Sequence, residues 1–482
     1  MDREGLAGVP RFGHITEEII GELKRVVGDR YVLSNDDSRR AYARDKAPRI
    51  WDRAADAVVL PGSVDEVCAV IAVANRERIP VVPRGAGSGL SGGCVPILGG
   101  MTLSLERMNA ILEYDGENRT ITVEAGVLTN DINVYLEETP FYYAGFPMSI
   151  QDCMIGGNIA TNAGGGKAVK YGVTGNHVLG VEIVTPEGEA VTLGGKNRKD
   201  VTGYDLKSLI IGSEGTLAVI TKATLSLERK PAATRSALLF FGNNGLAAEA
   251  VVRIMSLGPH PASLELMDRR AFSACCLYTG KNLDLNDAEC VVLVSYEEDS
   301  LEAAFGRLSG AVSAVADLTV ATPVIARDSQ QEEYIWTIRK ALAEANHLYG
   351  SVEVTGEDIV VPFAYMPPFI ERLGEIESRH EGIMITNCGH AADGNLHTTI
   401  HRMPGLRDDE WTRSIRLVKD EIYGEMRKIG GKLSGEHGIG SNRVDDFSRL
   451  ADPVEMKLLM AIKKSIDPNG IMNPGTIFPL EQ

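Results

Sequence analysis

The chain has 482 residues, 44% of them apolar, and a formal net charge of -17. That length predicts two or three domains with sizeable cores, and the acidic balance argues against nucleic acid and anionic membrane surfaces as partners. No run approaches the roughly 18 uninterrupted apolar residues of a transmembrane helix, the opening Met1-Asp2-Arg3-Glu4 lacks a secretion-signal pattern, and seven cysteines without a C-x-x-C pair point to a reducing cytoplasm.

Residues 15–27 place Ile15, Ile19, Ile20, Leu23, Val26 and Val27 on one helical face, with Thr16 as cap. Ala57-Val58-Val59-Leu60-Pro61 reads as a strand ended by proline. Ser63 then caps a helix from Val64 to Arg78, with Glu66 three residues on. Ile79-Pro80-Val81-Val82 is the next strand, and this β–α–β opening runs into residues 83–93, where five of eleven residues are glycine. Glycine has no Cβ, so such a loop can bring its N–H groups against an anion, and Arg84 beside it favours a pyrophosphate. Gly87, Gly89 and Gly92 fit G-x-G-x-x-G, but that fingerprint requires a helix to follow at once. Residues 93–100 follow instead, and their glycines and Pro96 disfavour a helix. A plain tight turn between strands is the alternative.

Further strands are predicted at 102–105, 120–125, 179–185 and 217–227, with a helix over 130–138. Two more Gly/Asn-rich regions lie among them. One is Ile155-Gly156-Gly157-Asn158, Asn162-Ala163-Gly164-Gly165 and Lys170-Tyr171-Gly172; the other is Gly212-Ser213-Glu214-Gly215-Thr216-Leu217-Ala218-Val219-Ile220-Thr221. Small residues there let the chain lie flat against a ring system, and Asn can hydrogen-bond the ring edges. The three regions, in this order, resemble the vanillyl-alcohol oxidase / p-cresol methylhydroxylase family of FAD enzymes.

The resemblance implies an α+β chain. A PCMH-type FAD-binding domain of two subdomains would cover 1–230, and a cap domain with an antiparallel sheet 231–407. A C-terminal segment, 408–482, would return to complete the FAD domain and the active site. The flavin contacts it implies are Pro83, Arg84, Gly85, Ala86, Gly87, Ser88, Gly89, Leu90, Ser91, Gly92 and Gly93. To these it adds Pro147, Met148, Ser149, Gly156, Gly157, Asn158, Asn162, Ala163, Gly164, Gly165, Tyr171, Gly172, Glu214, Gly215, Ile220 and Asn473. Relatives have Asp-Pro-Ser-Ser where this chain has Phe146-Pro147-Met148-Ser149, so polar contacts are lost there. Cys94 and Cys153 sit in these segments outside any linkage pattern, so FAD is expected to be non-covalent.

Beyond Lys230-Pro231, strands at 237–241, 262–267 and 289–296 alternate with helices at 246–255 and 301–315, an α+β pattern. Cys275-Cys276 reads as a buried pair of thiols. Residues 408–430 and 452–466 read as helices returning to the FAD domain. Residues 384–388 read as a strand, 389–394 as a turn with Asp393-Gly394 at its end, and 395–400 as the return strand. Such a hairpin brings His390 and His397 together. Ser434-Gly435-Glu436-His437-Gly438-Ile439-Gly440 adds a carboxylate and a third histidine on a glycine-flanked loop. Two His and one carboxylate form a catalytic-metal ligand set, against the alternative of hydrogen-bonded structural histidines. His401 fits the same strand face but no motif, and is left out.

G-H-x-x-D-G-N-L-H, S-G-E-H-G-x-G and Asn473-Pro474-Gly475 resemble the FAD-linked D-2-hydroxyacid dehydrogenases, a branch that includes D-lactate dehydrogenases, the glycolate oxidase flavin subunit and D-2-hydroxyglutarate dehydrogenase. The branch implies oxidation of a 2-hydroxy acid, with His390, His397 and Glu436 binding a divalent metal, zinc first, and His437 as catalytic base. His437 as a further ligand with Glu436 as base is the alternative. Arg339, in Trp336-Thr337-Ile338-Arg339-Lys340, would grip the substrate carboxylate, or else be a surface salt-bridge residue. Asn387 would lie near flavin or substrate.

Hydroxyglutarate-specific members carry Lys where Gly356 stands, ahead of Asp358-Ile359-Val360-Val361-Pro362, which points to D-lactate first and glycolate second. Electrons would leave to a quinone, an iron–sulfur subunit, electron-transfer flavoprotein or another acceptor. The chain would be an oligomer in the cytoplasm, or peripheral to a membrane through a partner. An alkyl-glycerone-phosphate synthase and a non-catalytic FAD subunit of an oxidase complex are the competing readings.

Overall fold

The computed structural model describes residues 12–47 and 53–480; the opening Met1–Glu4 lies outside them. Contacts divide the chain into two compact units. One runs through Gly164, resumes over Val173–Arg229 and includes His437–Gln482. The other holds Gly165–Gly172 and Lys230–Glu436.

The first unit begins with a helix, Glu17–Val27, capped as its sequence predicts: Thr16 Oγ1 accepts the Ile19 N–H at 3.3 Å. Ser63 caps Val64–Arg76 by accepting the Glu66 N–H, while the Glu66 carboxylate reaches back to the Gly62 N–H at 2.7 Å. Among the described residues, β1 (Val32–Leu33), β2 (Ala57–Val59), β3 (Val81–Arg84) and β4 (Met101–Ser104) form one sheet in the order β1-β2-β4-β3. β2, β4 and β3 run parallel. β5 (Ile111–Asp115), β6 (Thr120–Glu124), β8 (Val178–Val184), β9 (Ala190–Gly194) and β10 (Val219–Ser226) form an antiparallel sheet, β5-β6-β10-β8-β9. β7 (Phe141–Tyr142) pairs with β11 (Glu228–Arg229). Leu23, Ile71, Leu103, Ile121 and Leu225 share one core, fully buried.

The second unit is a seven-stranded antiparallel sheet. Its strands are β12 (Ala233–Phe241), β13 (Ser263–Asp268), β14 (Cys290–Glu298), β15 (Val324–Ile325), β16 (Glu353–Val360), β17 (Ile383–His390) and β18 (Asn395–Arg402), in the order β15-β12-β14-β13-β17-β18-β16. Phe240, Phe272, Leu293 and Ile338 fill one core of this unit. The 408–428 helix belongs here and not to the FAD unit, contrary to the pattern-based expectation. Its buried Trp411, Val418, Ile422, Tyr423 and Met426 form an apolar stripe, and its contacts run to the helix Met366–Arg379 of the same unit. Re-entry to the first unit comes at His437.

Ala391–Gly394 connect β17 to β18, ending on Gly394 with φ 71°. A Cβ there would sit 1.7 Å from the Val361 carbonyl oxygen. Gly394→Ala should therefore cost roughly 1–3 kcal/mol or more, read as a lower urea midpoint; unchanged unfolding would show that the turn relaxes freely. No helix of the described residues is long and apolar enough to cross a membrane.

Candidate functional site

In the first unit, β3 delivers the glycine loop with no helix after it. Arg84 is buried, its Nη1 donating to Cys94 Sγ at 3.1 Å and its guanidinium 5.7 Å from the Tyr42 ring centroid. A Cβ on Gly87 would lie 2.1 Å from Arg84 Nη2, so the guanidinium lies against the loop backbone. Burial pushes the Cys94 thiol up to about 11.

Several segments fasten this loop. Asp45 accepts the Gly92 N–H at 2.8 Å, and the Lys46 N–H reaches the Gly89 carbonyl. Asn473 Nδ2 donates to the carbonyls of Gly93 and Glu214, each at 2.7 Å. The Glu214 carboxylate accepts the N–H groups of Ile439 and Gly440 at 2.8 and 2.7 Å, and burial lifts its pKa to about 7 against these two bonds. Glu214 and Asn473 thus act by tying loops together.

Gly156 and Gly157 open the short helix Ile155–Thr161. A Cβ on Gly85 would stand 3.7 Å from Gly157 N, so the two glycine segments meet backbone to backbone. Pro147, Met148 and Ser149 form the connection before it, with Met148 exposed. The Asn158 amide donates to Thr129 Oγ1 at 2.8 Å, and Asn162 Oδ1 accepts the Gly175 N–H at 2.8 Å. Tyr171 lies in Gly165–Gly172 of the second unit and donates its phenol to Glu297 Oε2 at 2.8 Å.

The second unit gathers the metal-ligand candidates on one sheet face. Cys388 pairs with His397 and His390 with Asn395 across the β17–β18 hairpin, so both histidines project the same way. His390 Nε2 and His397 Nε2 lie 3.5 and 3.2 Å from Glu436 Oε1, and the two rings stand edge to face, 5.3 Å apart. One ligand atom from each of the three residues falls within 4.8 Å of the others.

Two carboxylates missed in the sequence stand behind this cluster. Glu265, opposite His390 on β13, meets His390 Nδ1 at 2.7 Å. Its other oxygen accepts from Arg339 Nε at 2.8 Å and pairs with Nη2 at 2.5 Å. Asp358, opposite His397 on β16, lies 3.6 Å from His397 Nδ1. The available signal was an acid inside an apolar strand, in Leu264-Glu265-Leu266 and Asp358-Ile359-Val360, since a buried carboxylate needs partners.

Burial alone would lower the His390 pKa, but Glu265 and Glu436 raise it to about 10. Burial opposes ionisation of Glu436, yet His390 and His397 hold it well below the usual carboxylate range. His390 Nε2 is a buried nitrogen with no hydrogen-bond partner. The site is therefore built for positive charge, a proton or a metal ion, and two imidazoles with one carboxylate fit zinc. A ligand histidine whose other nitrogen meets a carboxylate is the usual supporting arrangement.

Arg339 is buried at 5% exposure on Ser329–Lys340, which removes the surface salt-bridge alternative. His437 follows Glu436 as the first residue of the first unit's last segment. Alternation turns Asn387 to the opposite sheet face from His390, where its Oδ1 accepts from Thr398 Oγ1 at 3.0 Å and its N–H meets Asp268. His401 contacts Thr386 Oγ1 at 3.0 Å and packs on Tyr349, and burial lowers its pKa to about 4, a structural role.

The family described as "FAD linked oxidases, C-terminal domain" matches residues 230–477, and "FAD binding domain" matches 55–194. The chain is 32% identical to the glycolate oxidase subunit GlcD of Bacillus subtilis, over 96% of this chain and 97% of that one. It is 33% identical to a D-lactate dehydrogenase of Anaerostipes hadrus, over 97% and 98%. A solved p-cresol methylhydroxylase with substrate bound has the same fold, with TM-score 0.77 at 18% identity over 98% of this chain and 99% of that one.

Proposed function

The chain belongs to the FAD-linked oxidases and dehydrogenases that act on hydroxy acids, and we propose that its own substrate is a small D-2-hydroxy monocarboxylate, D-lactate first and glycolate second, oxidised to the 2-oxo acid. The observation that carries this is the His390–His397–Glu436 cluster with a carboxylate behind each imidazole.

FAD would supply the acceptor for the substrate α-hydrogen as a hydride, and a divalent ion would supply Lewis acidity toward the substrate hydroxyl. His390, His397 and Glu436 would hold that ion, zinc by the donor set. Glu265 accepts a hydrogen bond from the His390 Nδ1–H and so leaves the Nε2 lone pair free to face the ion. His437 accepts the hydroxyl proton. Arg339 holds the substrate carboxylate with the N–H groups that Glu265 leaves over, fixing which face of the acid is presented. Electrons then pass to an external acceptor, a quinone or an iron–sulfur or flavoprotein partner.

Gly356 supports the monocarboxylate. It pairs with Thr399, on the same sheet face as Asp358 and His397, and nothing lies within 4 Å of where its Cβ would be. The first carbon of a lysine side chain would meet no obstruction, and its ammonium would add the cation a second carboxylate wants. Gly356→Lys is expected to raise kcat/KM for D-2-hydroxyglutarate relative to D-lactate by roughly 10-fold; an unchanged ratio would take position 356 away from the substrate. Steady-state rates with a dye acceptor test the substrate order. The highest kcat/KM is expected with D-lactate, and a preference of the unaltered protein for D-2-hydroxyglutarate would overturn the monocarboxylate assignment.

A further inference from the structure

We infer that Asp358 is the positioning residue of the ligand cluster, setting the register of the loop that presents Glu436 and the orientation of His397. This rests on the reading that His390, His397 and Glu436 hold a divalent ion. Asp358 is fully buried on β16. Its Oδ2 accepts three donors from three successive residues: Ser434 Oγ at 2.7 Å, Gly435 N–H at 3.0 Å and Glu436 N–H at 2.9 Å. The Gly435 N–H also reaches the Asp358 carbonyl at 3.1 Å. One carboxylate oxygen thus pins the backbone immediately before the Glu436 side chain.

The other oxygen works on the hairpin. Asp358 Oδ1 accepts from Asn395 Nδ2 at 2.8 Å and faces His397 Nδ1 at 3.6 Å. Gly435 packs directly on Asn395, where a Cβ would fall 2.2 Å from Nδ2. At 3.6 Å the His397 contact is too long for a hydrogen bond. It still sets the carboxylate beside the Nδ1 edge of the ring, with Nε2 turned toward Glu436. β16, the hairpin and the 434–436 loop come from three stretches of sequence, and all three converge on this side chain. The consequence is the common approach of both histidine Nε2 atoms to Glu436 Oε1, at 3.5 and 3.2 Å.

Asp358→Asn keeps the size of the side chain but removes the charge that gathers these donors. It is tested on the full-length, FAD-loaded protein by zinc competition against a chromogenic chelator, with bound zinc counted by mass spectrometry after dialysis. Zinc affinity should fall roughly 10–100-fold while FAD content is unchanged. Tyr423→Phe is the structural control: it removes the Tyr423 O–H bond to Glu357 Oε2 (2.5 Å), whose residue alternates to the other face of the same strand. It should lower the melting temperature and leave zinc affinity unchanged. If Asp358→Asn does not fold, Ser434→Ala decides, with an expected loss of roughly 3–10-fold.

Zinc bound by Asp358→Asn, or by Ser434→Ala in its stead, as tightly as by the unaltered protein would overturn the inference alone. So would an equal zinc loss in Tyr423→Phe. An unaltered protein that binds no zinc would overturn the underlying metal reading together with the inference.

Discussion

His390→Ala should release the divalent ion and lower turnover by roughly 10³-fold or more, the scale of several kcal/mol of lost charge stabilisation. His390 is the best-supported member of the cluster, because its Nδ1 meets Glu265 at 2.7 Å while Nε2 is buried and otherwise without a hydrogen bond. Removing the imidazole leaves Glu265 still paired with Arg339, so the sheet is expected to fold. FAD should remain bound, since the glycine loop belongs to the other unit. Metal content by mass spectrometry and the visible flavin band separate these effects. Retention of metal by both His390→Ala and His397→Ala would sink the metal assignment.

His437→Ala should differ in keeping the ion. Turnover should fall by roughly 10²–10⁴-fold, the usual contribution of a general base, with metal and FAD both retained. The two variants therefore dissect the site: one loses ion and rate, the other rate alone. Loss of metal in His437→Ala would make it a ligand and would move the base elsewhere, with Glu436 the next carboxylate to test.

Much of this was legible in the chain. The glycine loop was read from residues 83–93, and the absence of a following helix from Pro96 and its neighbouring glycines. The β17–β18 hairpin was read from Asp393-Gly394 between two apolar runs, which placed His390 and His397 together. Glu265 and Asp358 were not, because their work depends on partners far away in sequence. Glu265 and His390 are 125 residues apart, and Asp358 and Glu436 are 78 apart. Local periodicity carries no information about which strands become neighbours. The side-chain direction of Asn387 could be read from the strand alone: three residues separate it from His390, an odd step, so the two face opposite ways. The segment 408–430 was read as a helix, but its apolar stripe does not say which surface it covers.

The most direct test of the account is the anaerobic visible spectrum of the FAD-loaded protein, recorded before and after adding D-lactate, L-lactate, glycolate and D-2-hydroxyglutarate separately. The account predicts that D-lactate bleaches the flavin band fastest, glycolate more slowly, and L-lactate hardly at all. A flavin band that none of these acids bleaches would contradict the proposed reaction while leaving the flavin fold in place.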